Sequence, residues 1–178
     1  VFGFLGSPAF GALTTIGTAS YDSDADGTSE TYNLIHMTGG PYGPITWLDY
    51  TTQSQDTWQN QKAWASGLNN PGILSYNIDS AYTVDWSTGW RLPETDESRA
   101  NLSGAFGYEG PDGSGYHNYR YGYNMVNAEM GHLYYEELGN KGYRATDGSY
   151  PSDYGIVNKF DFNKLRSVDY WSGTEYST

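Results

Sequence analysis

The sequence predicts one α+β domain, with two helices, short twisted antiparallel strands and long loops rich in Gly and Tyr. Short alternating stretches predict the strands, and apolar residues at helical spacing predict the helices. The chain has 23 Gly and 18 Tyr in 178 residues, which indicates many turns and a core built largely from aromatic rings. Because no repeat or linker interrupts it, we expect residues 13–178 to form a single domain.

Four stretches are typical of strands. Residues 13–20 and 31–37 alternate between apolar and polar side chains, and an acidic turn joins them. Residues 45–50 restart an apolar pattern after Pro and Gly breakers, and residues 167–176 predict the last strand of the chain. We expect these strands to supply the sheet of the domain.

Two helices are indicated by their ends and their apolar stripes. The first begins at Asp56 or Thr57 and ends at Gly67, and the second begins near Asn127 and ends at Gly139. The apolar stripes are Trp58, Ala65 and Leu68 in the first helix, and Met130, Leu133, Tyr134 and Leu138 in the second. Residues 73–92 look extended with Trp86 and Trp90 inward, and residues 140–166 look like loop.

Charge and cysteine content exclude several function classes. The net charge of −12 argues against nucleic acid and anionic membranes, which require clustered Lys and Arg. The absence of Cys excludes disulfides, thiolate metal sites and Cys nucleophiles. No apolar stretch has the length of a membrane-spanning helix.

Residues 1–12 are apolar and end in small residues. Ala9-Phe10-Gly11 is similar to a signal-peptide cleavage site, so the stretch is either a signal remnant or an apolar arm that docks on its own domain or a neighbour. Both alternatives imply export, and we expect the protein outside the cell.

The loop DSDADGTSETYN at residues 22–33 is the strongest metal candidate. Its spacing fits the start of an EF-hand calcium loop, although Asn33 replaces the Glu of the twelfth position and strands replace the flanking helices. The alternative is a solvated hairpin turn, for which Asp and Gly are the usual residues. The candidate Ca²⁺ ligands are Asp22, Asp24, Asp26, Thr28 and Glu30.

The tract at residues 105–124 is the predicted working surface. Alternating tyrosines on a Gly-rich backbone suit glycan contact, self-assembly contact or packing over the domain's own core, and all three alternatives stay open. The candidate contact residues are Tyr108, Tyr116, His117, Tyr119, Arg120, Tyr121 and Tyr123. Sulfated polyanions require Arg120, Lys141 and Arg144 to cluster, because the overall charge repels them.

The motif DWSTGWRLP at residues 85–93 places an Arg beside two indole rings. Burying a guanidinium requires carboxylate or carbonyl partners, and its planar fork can hold two at once. We expect a structural anchor made of Trp90, Arg91, Pro93 and Trp171 rather than a ligand site. The expected carboxylate partners of Arg91 are Asp49, Asp85 and Glu175.

Catalytic motifs are weak in this chain. Glu129 and His132 have the spacing of half a di-metal motif, but a second half is missing. No nucleophile elbow, zinc-protease motif or phosphate loop occurs. Scattered carboxylates such as Asp147 and Asp153 leave a glycoside hydrolase as the least favoured hypothesis.

Five blocks of the sequence carry a family resemblance. They are ITWLDYT, TWQNQKAWASGL, DWSTGWRLP, EMGHLYYEELGN and YWSGTEY, in this order. The chain resembles, over residues 13–176, the C-terminal domain family of the Legionella collagen-like adhesin (DUF1566). The resemblance implies a C-type-lectin-like fold related to formylglycine-generating-enzyme domains, whose chemistry needs the Cys that this chain lacks. It also implies an extracellular bacterial protein, and the named adhesin is a trimer that binds sulfated polysaccharide.

The resemblance also suggests how copies could assemble. The family pattern continues beyond the YWSGTEY block into a closing strand, whereas this sequence stops at Thr178. Either the chain is truncated or processed, or another segment fills the resulting sheet edge, as residues 1–12 of a neighbouring copy could do by strand addition. The favoured hypothesis is therefore a secreted, non-enzymatic module for adhesion and self-assembly, as a homo-oligomer or filament. The alternative is a monomeric carbohydrate-binding lectin.

Overall fold

The computed structural model describes residues 13–40, 43–51, 56–95, 124, 126, 128–145, 147–168, 170 and 172–174. These residues form an α+β structure with a four-stranded antiparallel sheet and two short helices, which confirms the predicted class at that level. The strands are β1 (Leu13–Tyr21), β2 (Glu30–Met37), β3 (Ile45–Leu48) and β4 (Ser75–Ile78), in the order β3-β2-β1-β4.

Strand β2 lies inside the sheet and is buried on both faces. Its adjacent residues Leu34 and Ile35 point to opposite faces, and both are 0 % exposed. A strand covered on both sides loses strict alternation, which explains the mixed pattern of TYNLIHM. Each face therefore carries its own hydrophobic cluster.

The two clusters connect the sheet to different parts of the chain. The first contains Ile16, Ala19, Leu34, Leu68 and Leu74, with Trp64 and Trp90 packed against it. The second contains Ile35, Met37, Leu133, Leu138 and Phe162. The sheet is therefore the middle layer, between the end of the first helix on one side and the second helix with residues 162–165 on the other.

Helix α1 (Trp58–Gly67) matches its prediction closely. Thr57 is the N-cap, and its side chain accepts a hydrogen bond from the Asn60 N–H at 3.3 Å. Asp56 supports the cap by accepting the Thr57 N–H at 2.7 Å. Ala65 and Leu68 of the expected stripe are buried, whereas Trp58 is only partly buried.

The second helix has a different register from the expected one. Helix α2 (Glu129–Gly131) continues directly as a π-helical segment (His132–Glu137), in which the Leu138 N–H donates to the Leu133 carbonyl at 2.9 Å. A π-helix places side chains five apart on one side, so Leu133 and Leu138 share the buried face. Gly139 ends it with a φ of 62°, as predicted.

Three strand expectations are wrong or incomplete. Strand β3 ends at Leu48, because Tyr50 turns to stack on Trp64 with ring centroids 5.0 Å apart. Within residues 73–92 the only strand is β4, and Trp86 is 39 % exposed rather than inward. The described residues of 167–176 form no strand. Gly173 and Thr174 bond residues 93–95, and the Ser172 carbonyl accepts the Trp58 indole N–H.

Strand β4 can approach β1 because of Gly17. The β1–β2 register shifts between Thr15 and Gly17, and Gly17 has a φ of 149°. A Cβ at Gly17 would lie 2.3 Å from the Asn77 carbonyl oxygen. Glycine is therefore required where the edge strand pairs.

Candidate functional site

Arg91 forms a two-pronged ion pair with Glu129. Its Nη2 lies 2.6 Å from Glu129 Oε1, and its Nη1 lies 2.8 Å from Glu129 Oε2. The Glu129 side chain is 1 % exposed, whereas that of Arg91 is 38 % exposed. The Glu94 N–H also donates to Glu129 Oε2 at 2.7 Å, so three hydrogen bonds satisfy the buried carboxylate.

This partner differs from the three expected ones. Asp49 instead accepts the backbone N–H groups of Asn163 at 2.7 Å and Lys164 at 2.9 Å. Asp85 accepts the Ser87 N–H at 2.9 Å, which lowers the pKa of its carboxyl group. Glu175 lies outside the described residues. Arg91 is paired with a carboxylate, as expected, but the acid comes from the second helix and the Arg91 side chain is 38 % exposed rather than buried.

The rest of the anchor connects the WRLP motif to its surroundings. The Trp90 indole N–H donates to the Tyr76 hydroxyl at 2.7 Å, and Asn69 bonds both the N–H and the carbonyl of Trp90. The Pro93 carbonyl accepts the Gly173 N–H at 2.7 Å, which joins this segment to the last block of the sequence. Trp171 lies outside the described residues.

The half di-metal motif does not assemble. Glu129 is occupied by Arg91, and His132 Nε2 instead lies 3.1 Å from Glu137 Oε1. That second pair again joins side chains five apart, as the π-helical register requires. The Glu137 side chain is 1 % exposed, and its Oε2 is buried without a hydrogen-bond partner among the residues that the structure describes.

The acidic loop between β1 and β2 brings three of its five predicted ligands together. Asp22, Asp24 and Asp26 each place a carboxylate oxygen within 4.8 Å of the others, at the surface. Asp22 accepts the N–H groups of Asp26 at 3.1 Å and Gly27 at 2.9 Å, so the loop also satisfies itself as a turn.

The other two predicted ligands do not join this cluster. Glu30 accepts the N–H and hydroxyl of Ser23 at 3.2 and 3.1 Å, and the Ser23 N–H lowers the pKa of the Glu30 carboxyl group. Thr28 donates its N–H to Asp26 at 2.7 Å. The Asn33 amide bonds the Asp161 carbonyl at 2.8 Å, away from the loop. Three carboxylates can attract a hard cation, but the predicted ligands Thr28 and Glu30 do not complete the oxygen set that an EF-hand loop supplies.

A cavity of about 1510 Å³ lies beside the Arg91–Glu129 pair. It is larger than a typical drug-sized pocket of roughly 300–1,000 Å³. Its lining mixes aromatic and charged side chains, among them Tyr50, Trp64, Trp86, Trp90, Arg91 and Tyr170. These side chains line a space that is partly open to solvent.

Aromatic side chains form two clusters on the described surface. The edge cluster consists of Tyr76, Trp86 and Trp90, with ring centroids 4.7 and 5.6 Å apart along that order. The loop cluster consists of Tyr143, Tyr150 and Tyr154, in which Tyr143 lies 5.0 and 5.1 Å from the other two rings. Sequence reasoning missed the loop cluster because its tyrosines are not regularly spaced.

The predicted contact residues of the 105–124 tract lie outside the described residues. They are Tyr108, Tyr116, His117, Tyr119, Arg120, Tyr121 and Tyr123. The apolar stretch 1–12 also lies outside them. Of the basic residues expected to cluster for polyanions, Lys141 pairs with Asp153 at 2.7 Å and Arg144 lies over the Tyr150 ring.

Comparison with protein-family models, with curated proteins and with solved structures finds no match for this chain. The resemblance carried by the five sequence blocks therefore stays a prediction. Among the described residues, neither helix combines the length and the apolar character needed to cross a bilayer.

The anchor predicts an asymmetric mutational response. Arg91→Met should lower the free energy of unfolding by about 3 kcal/mol, because it leaves the Glu129 charge buried without its partner. The double variant Arg91→Met/Glu129→Leu should recover most of that loss, since it removes both charges together. Urea denaturation of the two variants measures the difference.

The exposed pair Lys141–Asp153 is the matched control for this experiment, because its side chains are 55 % and 58 % exposed. Lys141→Met should cost less than about 1 kcal/mol. A loss at Arg91 as small as the loss at Lys141 would show that the anchor is not needed for stability.

Asp49 predicts a pH-dependent stability. Burial raises the pKa of Asp49 above its ordinary value of 3.8, by more than its two backbone hydrogen bonds lower it. The folded state then binds the proton more tightly than the unfolded state, so this group's contribution falls as the pH rises from 3.8 through the folded pKa. Relative to Asp49→Asn, the wild type should lose stability over that window in urea denaturation at stepped pH. A gain would contradict the effect of burial.

Calcium binding at the acidic loop stays a prediction. Given three carboxylates at the surface, we expect a dissociation constant of about 10⁻⁴–10⁻³ M or weaker. Calorimetric titration with CaCl₂ should give binding that Asp22→Asn and Asp24→Asn each abolish. Asp79→Asn, at an acid in another exposed turn, is the control and should leave it unchanged. If the heats of wild type and Asp22→Asn are indistinguishable, the loop is a solvated hairpin turn and does not bind Ca²⁺.

Proposed function

We propose that this protein is a secreted, non-enzymatic module for adhesion and self-assembly at the cell surface, built on a C-type-lectin-like domain. The main support is the exposed edge of the sheet at β4. Within the described part of the chain, β4 pairs with β1 alone, so its other side offers backbone N–H and carbonyl groups. Residues 75–77 of β4 are exposed, and the strand carries no charge or Pro that would discourage pairing.

The edge cluster adds an apolar surface next to this edge. Tyr76 is 42 % exposed and Trp86 39 % exposed, although both are large aromatic side chains. Tyr76 is held in place, because its hydroxyl accepts the Trp90 indole N–H and Trp90 packs against the first core cluster. A second copy could add a strand to β4 and cover these rings at the same time.

Two kinds of second copy fit this edge. Pairing of β4 with β4 of another copy is two-fold and gives a closed dimer, whereas pairing with residues 1–12 of another copy is heterologous and gives a filament. The filament is the favoured hypothesis, because the sequence predicts residues 1–12 to be an apolar arm that can dock on a neighbouring copy. Extracellular location follows from the predicted export and belongs to the same proposal.

Self-association is tested with the full chain. Sedimentation velocity at increasing protein concentration should show oligomers, and Tyr76→Lys should give monomers because it places a charge at the edge. Val157→Lys is the matched control, since Val157 is 64 % exposed and lies outside the edge cluster. Deleting residues 1–12 should abolish filaments in negative-stain micrographs, while a β4–β4 dimer would survive that deletion. A wild type that stays monomeric at about 100 µM, a weak-interaction concentration, would falsify the proposal.

A monomeric carbohydrate-binding lectin is the second candidate. The cavity beside Arg91 supports it, because indole and phenol rings mixed with charged groups suit sugar rings with their hydroxyls. The hydrolase hypothesis has less support. A catalytic acid requires a raised pKa, whereas hydrogen bonds from Ser149 and Lys141 lower the pKa of Asp147 and Asp153 respectively.

A further inference from the structure

The loop cluster is a group of tyrosine rings held at the surface. The Tyr143 ring meets Tyr150 at 71° and Tyr154 at 82°, so both of these ring contacts are edge to face. The exposed fractions are 44 % for Tyr143, 53 % for Tyr150 and 52 % for Tyr154. Rings that pack on one another and still expose half of their surface offer aromatic area to a ligand.

Hydrogen bonds fix the segment that carries these rings. The buried Asn140 accepts the N–H groups of Val157 at 2.9 Å and Asn158 at 2.8 Å and donates to the Asn158 carbonyl, which joins the two ends of the segment. The Gly155 N–H donates to the Lys141 carbonyl at 2.9 Å.

The turn between the first two rings is fixed in the same way. Asp147 accepts both the N–H and the hydroxyl of Ser149, at 2.9 and 2.6 Å, and the Ala145 N–H donates to the Ser149 carbonyl at 3.0 Å. These bonds hold the backbone that carries the rings before any ligand arrives, which lowers the entropic cost of binding.

The exposed area is suited to a small ligand. A tyrosine side chain contributes about 150–250 Å² when fully buried, so three half-exposed rings offer roughly 300 Å². A stable protein interface needs about 800 Å² on each partner. The loop cluster alone is too small for a protein partner and matches one or two sugar rings.

Charge favours a neutral sugar. Arg144 lies over the Tyr150 ring at 4.7 Å, and Lys141 is neutralised by Asp153 at 2.7 Å. Asp147 and Asp153 have lowered pKa values because of their hydrogen bonds to Ser149 and Lys141, so they remain negative and balance the positive charges of Arg144 and Lys141. With a net charge of −12, the surroundings repel an acidic sugar.

We propose that Tyr143, Tyr150 and Tyr154, with Arg144 beside them, bind a neutral saccharide by stacking. The apolar C–H face of a pyranose ring packs on an aromatic face, while tyrosine hydroxyls and the guanidinium bond its hydroxyl groups. A neutral saccharide would be the ligand through which the proposed module adheres, so this inference rests on the proposed function. It uses no residue of the β4 edge, so self-association and sugar binding can fail separately.

The test is a glycan array with neutral and acidic glycans, followed by calorimetry with the neutral oligosaccharide that binds best. Tyr150→Ala and Tyr154→Ala should each weaken its affinity at least tenfold, because each removes one stacking face. Tyr82→Ala is the matched control, since Tyr82 is 40 % exposed and belongs to neither cluster, and it should bind like the wild type. Near-ultraviolet circular dichroism should confirm that each variant is folded.

Three results would overturn the site. They are an array without any neutral glycan bound, binding restricted to acidic glycans, and a neutral glycan whose affinity is unchanged in both Tyr150→Ala and Tyr154→Ala. Sedimentation of the same samples reports self-association independently. Monomers that bind a neutral glycan through these tyrosines would support the site while contradicting the assembly proposal, and oligomers without glycan binding would do the reverse.

Discussion

The buried carboxylate of Glu129 is the constraint around which much of the described structure is arranged. A charge that is 1 % exposed requires full compensation, and Arg91 and the Glu94 N–H supply it with three hydrogen bonds. The pair thereby joins the segment after the sheet to the start of the second helix. Because Pro93 and Thr95 in turn bond Gly173 and Thr174, one ion pair organises three distant parts of the chain.

The sheet and the second helix are matched through an unusual register. Ile35 and Met37 of strand β2 pack in the second cluster with Leu133 and Leu138 of the second helix. Five-residue spacing also sets His132 against Glu137, with Gly40 so close that a Cβ there would lie 3.1 Å from the imidazole. The widened turn is therefore used twice, once for apolar packing and once for a polar pair.

Local signals in the sequence were sufficient for β1, β2 and α1, but not for the end of β3 or for β4. Alternation predicted β1 and β2, and capping chemistry at Thr57 predicted α1, because both depend on neighbours in sequence. The partner of Arg91 could not be predicted, since Glu129 lies 38 residues away and several carboxylates were equally plausible. The second helix was predicted with α-helical spacing because Tyr134 and Leu138 are four residues apart. Leu133 and Leu138 are five apart, which suits the π-helical register that the structure adopts. The tyrosines of the loop cluster converge only through the fold.

The described part of segment 140–158 contains no helix or sheet strand, and it is held together by backbone hydrogen bonds and by side chains such as Asn140, Asp147 and Asn158. None of its tyrosines belongs to either of the two core clusters. The groups that hold the segment's shape are therefore different from the tyrosine rings that it exposes. Over evolution the ring positions are therefore free to diversify, and related chains could acquire new ligands by exchanging these side chains alone, much as hypervariable loops do on a constant framework.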